Sequence, residues 1–254
     1  MYNRYFELVL YKTYADLKAE SERTYLGFLW WVFEPILFMG VFYVIFGLLM
    51  KRGTEDFVPF LLIGLTTWQW LKSCISHGAL SITNGRHLMQ RVHLPKVIFP
   101  IVVILTDSVK FVFIFVLLLI FLWLSGYTPN LNYWALPLVL FTQLLVIIAV
   151  TLLEAAIVPF VPDLRFVIET VLHALFFLTG IFFNAADIVP EEFKFYFYLN
   201  PMANLIEDYR NILMYDRLPD FSSLAVIAAC SLLTIWLAVR IIKRYEYVYP
   251  RISI

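Results

Sequence analysis

Charged residues are scarce in this sequence. Only 15% of its 254 residues are Asp, Glu, Lys or Arg, whereas 62% are hydrophobic. Soluble domains carry about 25% charged and about 45–50% apolar residues, so this composition excludes an ordinary soluble domain. The apolar residues occur in runs of about 18–25, the length of a helix that crosses a hydrocarbon core of ~30 Å. The sequence therefore predicts an all-α polytopic membrane protein with a single domain, residues 1–254.

The sequence is also poor in cysteine and lacks the common motifs of catalytic sites. Cys74 and Cys230 both lie inside apolar runs, so we expect reduced packing residues and neither a disulfide framework nor a metal site. The chain contains no G-x-x-x-x-G-K-[ST], H-E-x-x-H or G-x-S-x-G motif, so we expect no catalytic residues and no cofactor in it. The formal net charge of zero gives no reason to expect a nucleic-acid partner. Active work on a solute would then draw its energy from a gradient or from a partner.

Six apolar runs have the length of transmembrane helices, the structure that satisfies backbone groups internally in lipid. The predicted spans are residues 29–50, 57–80, 98–125, 134–158, 166–184 and 222–242. With the N-terminus inside, twelve Lys and Arg residues fall on cytoplasmic segments and five on outer segments. This bias follows the positive-inside rule and predicts cytoplasmic N- and C-termini.

Two segments on the predicted cytoplasmic side are too polar to span. Residues 1–22 have apolar residues near helical spacing and predict a helix that either lies in the inner membrane interface or packs on the protein itself. Residues 84–96, with the sequence NGRHLMQRVHLPK, predict a short basic helix between the second and third spans.

Residues 185–220 form the longest stretch outside the spans and predict two short re-entrant outer helices. Pro190 is followed by Glu191 and Glu192, an order that suits the start of a helix. Asn200-Pro201 suits a second start, with Asn as the N-cap. The apolar residues that follow share one face of this second helix.

Ionisable and polar residues inside the spans need a reason, because each charged group costs about 2.5–3.5 kcal/mol at the bilayer centre. Asp107 and Lys110 are three residues apart and predict an internal ion pair. Glu169 and His173 are one turn apart and would serve a proton relay or simple pairing. The second span carries a polar stripe that would line a pore or bond to neighbouring helices, formed by Thr66, Gln69, Ser73 and Ser76.

Aromatic residues follow helical spacing in two spans. Trp31, Phe38 and Phe42 lie on the first span, and a second group on the fifth span consists of Phe176, Phe177 and Phe183. Aromatic rings stack on the apolar faces of sugar rings, but in membrane proteins they also pack between helices or form the interface belt. The two groups are therefore candidates for a substrate path, with packing as the alternative.

The order of these features resembles a known family. The quoted segments are YLGFLWWVFEPIL at the first span, NGRHLMQRVHLPK after the second, VPDLRF between the fourth and fifth, and IVPEEFKFYFYLNPMANLIEDYRNILM before the last. This order resembles the transmembrane subunit of type-2 ABC exporters, within them the polysaccharide branch, and most of all the O-antigen exporters. The resemblance covers nearly the whole chain.

The resemblance implies a function and partners. The chain would be the permease half of an ATP-driven exporter of undecaprenyl-linked polysaccharide in the cytoplasmic (inner) membrane, with O-antigen as the expected cargo. It would act as a homodimer with two ATPase subunits, which bind the ATP and Mg. Alternative cargoes are teichoic acid, capsule, drugs or lipids. A gradient-driven carrier and a membrane-embedded transferase or hydrolase are the alternatives from other classes.

The resemblance also implies roles for residues. The segment 84–96 would be the coupling helix that contacts the ATPase, and the seam between the first and fifth spans would admit the lipid anchor. The ATPase-coupling residues are Arg86, Leu88, Met89, Arg91 and His93. The outer gate residues are Glu191, Phe193, Asn200, Pro201 and Arg210.

Overall fold

Helices are the only regular elements in the part of the chain that the structure, a computed structural model, describes. These residues are 2–22, 27–30, 33, 36–37, 40–41, 44–45, 56–92 and 94–252. The helices are α1 (Tyr2–Glu22), α2 (Phe57–Ala79), α3 (Ser81–Asn84), α4 (Arg86–Arg91), α5 (Ile98–Leu124), α6 (Leu136–Ile157), α7 (Leu164–Leu178), α8 (Ala185–Ile188), α9 (Glu191–Tyr198), α10 (Pro201–Leu213), α11 (Phe221–Arg244) and α12 (Tyr249–Ile252). Single 3₁₀ turns lie at Gly27–Leu29 and Leu131–Ala135.

Three helices in the described ranges are long and apolar enough to cross a membrane. They are Ile98–Leu124, Leu131–Ile157 and Phe221–Arg244, which match the third, fourth and sixth predicted spans. Helix α2 matches the second predicted span in position, but its polar residues set it apart from these three. The first predicted span lies largely outside the described residues. The all-helical class is confirmed, and the count of six spans stays a prediction.

Helix α2 lies at the centre of the bundle and packs against α5, α6 and α10. Its Trp70 ring stacks on Phe111 of α5 with 4.0 Å between the ring centroids. The Trp70 indole N–H also donates to the Ser108 hydroxyl oxygen at 3.1 Å. The Cys74 thiol is fully buried in the same core. These contacts bury one side of α2 in the core of the bundle.

Helix α11 packs along α6 with a narrow face and leaves most of its apolar residues exposed. Leu224 and Ala238 are buried at that contact, whereas Leu232 and Trp236 are exposed. Exposed apolar residues on a helix of this length are the expected surface toward lipid. Cys230 is among the exposed residues, so the expectation that it packs inside the protein is wrong.

The predicted fifth span, 166–184, is not one continuous helix. Helix α7 ends at Leu178, and Gly180 has a φ of 74°, a left-handed conformation that glycine adopts without steric cost. Fifteen residues rise only about 22 Å at 1.5 Å per residue, less than a ~30 Å core. Hydropathy did not reveal the break because the apolar residues continue to Phe183.

Helix α1 forms as predicted and packs on the start of α5. Val9 is buried against Ile98 and Val102, whereas Phe6 and Leu10 are exposed apolar residues on the same helix. One face of α1 therefore packs on the protein itself, as one alternative foresaw. The other face remains free for the membrane interface.

Candidate functional site

The predicted coupling segment, 84–96, begins with a close backbone approach. Helices α3 and α4 meet at Gly85, which lies against the Phe99 ring of α5. A Cβ on Gly85 would come within 2.3 Å of Phe99 Cε1, a distance that real side chains do not reach. Because Gly85 lets the chain pass this ring, α4 lies directly against the start of α5.

Among the described side chains of the predicted coupling set, Met89 is buried and Arg86 and Leu88 are half-buried. Met89 is 6% exposed and packs in a cluster with Ile82, Phe99 and Tyr249, and Leu88 packs against the same cluster. Met89 therefore holds the six-residue helix α4 to the bundle, and its role in ATPase coupling stays a prediction. Among the side chains of this segment that the structure describes, the exposed ones are Asn84, Gln90 and Val92.

The basic members of the set are placed differently from one another. Arg86 is half-buried, and within the described ranges its Nε has no hydrogen-bond partner. His93 lies outside the described residues, and for Arg91 the structure describes the backbone only. Lys96 is buried, and its Nζ donates to the Leu94 carbonyl oxygen at 2.9 Å.

The C-terminal residues share this end of the bundle with the coupling segment. Helix α12 packs on α4, and the Tyr249 hydroxyl donates to the Ala156 carbonyl oxygen at the end of α6 at 3.0 Å. Lys243 and Arg244 form the last turn of α11. Basic residues from two distant parts of the sequence are thus brought to one end, as the positive-inside pattern requires of a cytoplasmic face.

The polar stripe of α2 has a buried part and an accessible part. Thr66 is buried, whereas Gln69 is exposed and Ser73 and Ser76 are half-exposed. The exposed polar part continues to His77, whose Nδ1 lies 3.5 Å from Ser73 Oγ. Polar groups at this position in a membrane bundle must face water or another chain, because unsatisfied polar groups in lipid cost several kcal/mol.

An ion-pair network ties α1 to the same region. Asp107 and Lys110 pair as predicted, with 3.3 Å between the Asp107 Oδ1 and Lys110 Nζ atoms. Asp107 Oδ2 also lies 2.8 Å from His77 Nδ1, and Lys110 Nζ lies 2.5 Å from a Glu20 carboxylate oxygen. The links to His77 and Glu20 had no sequence signal, since both partners are distant in the chain. This network joins α1, α2 and α5 beside a cavity of about 220 Å³.

The predicted aromatic group on the fifth span separates into two contacts. Phe176 and Phe177 lie together with Phe182, and the Phe176 and Trp68 ring centroids are 6.1 Å apart. Phe183 instead contacts Phe197 of α9, with 6.1 Å between the ring centroids. We call Trp68, Phe176, Phe177 and Phe182 the aromatic cluster. Trp31, Phe38 and Phe42 lie outside the described residues.

The paired residues of the fifth predicted span form no acid–base couple. His173 Nδ1 lies 2.7 Å from the backbone oxygen of Glu169, so the contact uses the helix backbone and not the Glu169 carboxylate. A helical histidine that bonds one turn back is an ordinary structural contact. The proton-relay alternative has no support in this geometry.

The two predicted short helices are present as α9 and α10. We call this pair the outer hairpin, after the side of the membrane that the sequence predicts for it. Glu191 lies in the first turn of α9 and pairs with Lys194, with 2.6 Å between the carboxylate and ammonium atoms. No residue of α9 is buried, and Phe193 is 57% exposed. Helix α9 therefore lies on the surface of the bundle.

The second helix of the hairpin packs inside. The Asn200 side chain accepts a hydrogen bond from the Met202 N–H at 3.0 Å, and Pro201 occupies the first turn, which confirms the predicted start. The predicted apolar face of α10 is buried against α2 and α6. The Asn200 amide also donates to Thr179 Oγ1 at 3.1 Å, which links α10 to the break after α7.

Arg210 makes a contact set that the sequence did not reveal. It is 5% exposed, and its Nη1 donates to the Gly180 carbonyl oxygen at 2.8 Å. Its Nη2 donates to the carbonyl oxygens of Ile181 at 2.9 Å and Phe60 at 3.2 Å. The guanidinium carbon also lies 3.3 Å from the centroid of the Phe60 ring. Arg210 thus joins α10 to the first turn of α2 and to the broken end of α7.

These features define a class: a helical membrane protein with several candidate spans and with accessible polar residues on a central helix. The comparison with known sequences agrees with this class. The chain belongs to the ABC-2 type transporter family, whose model matches residues 12–214.

Relatives of known name cover most of the chain. The O-antigen export system permease protein RfbA of Myxococcus xanthus is 30% identical over 236 residues, 92% of this chain and 91% of the relative. A protein of the same name from Klebsiella pneumoniae is 25% identical over 97% of this chain and 95% of its own. The polysialic acid transport protein KpsM of Escherichia coli is 27% identical over 91% of this chain and 90% of its own.

Proposed function

We propose that this chain is the permease subunit of an ATP-driven exporter that moves undecaprenyl-linked polysaccharide, O-antigen in particular, across the cytoplasmic (inner) membrane. The family and the names of the two RfbA relatives support this assignment. The structural observation that carries it is the accessible polar face of α2 at Gln69 and Ser73, on the same helix whose Trp68 contacts Phe176 of the aromatic cluster.

The chemistry of this surface suits a sugar polymer. Amide and hydroxyl groups exchange hydrogen bonds with sugar hydroxyls, and aromatic rings cover the apolar faces of sugar rings. Phe177 is exposed at the edge of the aromatic cluster, so a ring is available for such contact. A path for an apolar drug would have no need of the exposed amide of Gln69.

The energy source is proposed to be a partner subunit. An ABC-2 permease works with an ABC ATPase, and the basic end with Gln90 and Val92 is the surface we assign to that contact. A homodimer of this chain with two ATPase copies would place two polar faces of α2 opposite each other and remove them from lipid. The termini then lie in the cytoplasm, as the distribution of basic residues predicts.

Capsule export is the second candidate, because the polysialic acid transport protein KpsM is nearly as similar to this chain as the RfbA relatives are. Both candidates share the mechanism and differ in the polymer. Expression of the chain in two strains, one without its O-antigen permease and one without its capsule permease, distinguishes them.

The test of the proposal measures polymer on both sides of the inner membrane in these strains. We expect the unmodified chain, expressed with its ATPase, to restore surface polymer in the O-antigen strain. Gln69→Leu should leave polymer on its lipid carrier inside the cell, while Leu233→Ala on the exposed face of α11 serves as the matched control. Restoration of drug efflux without any polymer export would contradict the proposal.

A further inference from the structure

The broken end of α7 leaves backbone carbonyl groups without helical partners. Helix α7 stops at Leu178, and residues 179–184 are not helical. Gly180 and Ile181 are both buried, so water does not reach their carbonyl oxygens freely. A buried carbonyl without a partner costs free energy comparable to a lost hydrogen bond, and this segment therefore needs a donor from elsewhere in the chain.

Arg210 supplies the donors, and the acceptors that the structure shows for them are backbone carbonyl oxygens. Three carbonyl oxygens, from Phe60, Gly180 and Ile181, accept its hydrogen bonds at 2.8–3.3 Å. Among the residues that the structure describes, no carboxylate oxygen lies within 4.0 Å of the Arg210 guanidinium nitrogens. Carbonyl dipoles and the face of the Phe60 ring thus balance its charge.

The shape of the guanidinium matters for this arrangement. Its planar fork presents donors in fixed directions, so one side chain reaches the start of α2 and the end of α7 together. A lysine ammonium carries its donors on one atom at the end of a flexible stem and does not reproduce this geometry. Gly64 of α2 fits closely here, since a Cβ there would lie 3.0 Å from Arg210 Nη2.

The segment that Arg210 holds carries the aromatic cluster. Phe176 and Phe177 lie in the last turn of α7, and Phe182 follows Ile181 directly. The Phe177 and Phe182 rings stack with 5.8 Å between centroids, which requires the chain to turn back at Gly180. The carbonyl contacts of Arg210 fix the backbone at that turn.

We infer that Arg210 is a positioning residue for the polysaccharide path: its hydrogen bonds to Gly180 and Ile181 hold the broken end of α7 so that the aromatic cluster faces the polymer. This inference rests on the proposed function. It assigns Arg210 a role in the substrate path, whereas the resemblance placed this residue in an outer gate.

The experiment joins thiol labelling with chemical rescue in the full transporter. Arg210→Ala is combined with Ile181→Cys in a Cys230→Ser background, and labelling by a maleimide is followed with and without guanidinium ion below denaturing concentration. A cavity of about 100 Å³ beside Arg210 and Gly180 leaves room for guanidinium to enter. Ile212→Cys, equally buried on α10, reports any general loosening.

We expect Arg210→Ala to raise labelling at Ile181→Cys and to lower polymer export, each by at least about tenfold, which is the effect of losing one hydrogen bond to a charged group. Guanidinium should reverse both changes, while tetramethylammonium should reverse neither. Labelling at Ile212→Cys should stay unchanged. Arg210→Lys keeps the charge but not the planar fork of donors, so its polymer export should also be reduced. This variant replaces Arg210→Ala in the experiment if the alanine variant does not insert into the membrane.

Three results would overturn the inference. The first is normal labelling and export in Arg210→Ala, and the second is full activity in Arg210→Lys. The third is equal rises in labelling at both cysteine positions without guanidinium rescue, which would indicate simple destabilisation. If the unmodified protein exports no polymer, the proposed function fails, and the labelling result still decides whether Arg210 holds the turn.

Discussion

The Tyr209 hydroxyl donates to the Gln143 side-chain oxygen at 2.7 Å in the fully buried core. The same amide donates through Nε2 to the Thr67 carbonyl oxygen at 2.8 Å. Gln143 therefore joins α10 to α2 through α6. A buried amide that satisfies both of its ends in this way fixes how three helices meet.

Tyr209→Phe should destabilise the protein by about 1–3 kcal/mol, because it leaves the buried Gln143 oxygen without its donor. Thermal unfolding of the detergent-solubilised protein measures this loss. Tyr198→Phe is the matched control, since Tyr198 donates to Glu207 in a half-buried site and should cost less. Equal stability of Tyr209→Phe and the unmodified protein would mean that the bond does not hold the bundle together.

The coupling surface should depend on Val92 and not on Met89. Val92→Glu places a charge on an exposed residue of the segment, so we expect normal insertion and about thirtyfold weaker ATPase binding, the ~2 kcal/mol of an interface hot spot. Met89→Asp buries a charge and should reduce the amount of folded protein instead. Co-purification with the ATPase measures the first effect, and yield after solubilisation measures the second.

An unchanged ATPase affinity in Val92→Glu would remove this residue from the proposed contact. Gln90→Ala offers a milder test of the same surface. Folded and fully active Met89→Asp protein would contradict the inward placement of that side chain.

The stability of the outer hairpin should depend on pH through Asp208. Burial raises the pKa of Asp208 to about 7, although its Oδ1 accepts a hydrogen bond from the Asp220 N–H at 3.0 Å. Because the folded protein holds this proton more tightly than the unfolded chain, the stabilisation is complete below about pH 4 and is lost as pH rises through about 7.

This group should therefore lower the free energy of unfolding by roughly 1.4 kcal/mol for each pH unit between about 4 and 7. Thermal unfolding at several pH values tests it, with Asp208→Asn as the variant that should flatten the dependence. Glu207→Gln removes a neighbouring charge that also raises the pKa of Asp208, so it should reduce the slope only slightly. A slope of the same size in Asp208→Asn would assign the effect to another group.

The cap of α10 should matter to the closed state of the outer hairpin. Asn200→Ala removes the bond to Met202 N–H and the bond to Thr179, so we expect a loss of about 1 kcal/mol of local stability. Reconstituted bilayers should then show a higher ion conductance without ATP. Asn204→Ala is the comparison, because its amide bonds only to the Tyr198 and Asn200 carbonyl oxygens within the hairpin. Equal conductance in Asn200→Ala and the unmodified protein would contradict a gating role for the hairpin.

Local signals were enough to predict some parts of this structure. The Asn200 cap and the Asp107–Lys110 pair depend on residues a few positions apart, where helical geometry fixes the contact. The apolar face of α10 was likewise predicted, because its spacing matches one side of a helix. These features are set by the sequence within one or two turns.

Other parts depend on contacts between distant residues and carried no local signal. Arg210 meets carbonyl groups 29, 30 and 150 positions away. Two of them, from Gly180 and Ile181, are available because α7 breaks after Leu178. The inward turn of Met89 depends on a pocket formed by α5, α6 and α11. A basic segment of six residues gives no period from which to infer that orientation.

The most direct test of the account is transport in proteoliposomes that contain only this chain and its ATPase. Lipid-linked polysaccharide is placed on the ATP side, and its appearance on the other side is measured with ATP, with a non-hydrolysable analogue and with a proton gradient alone. The account predicts that polymer crosses only with hydrolysable ATP and only when both subunits are present. Polymer movement driven by the gradient alone, or by this chain without the ATPase, would contradict it.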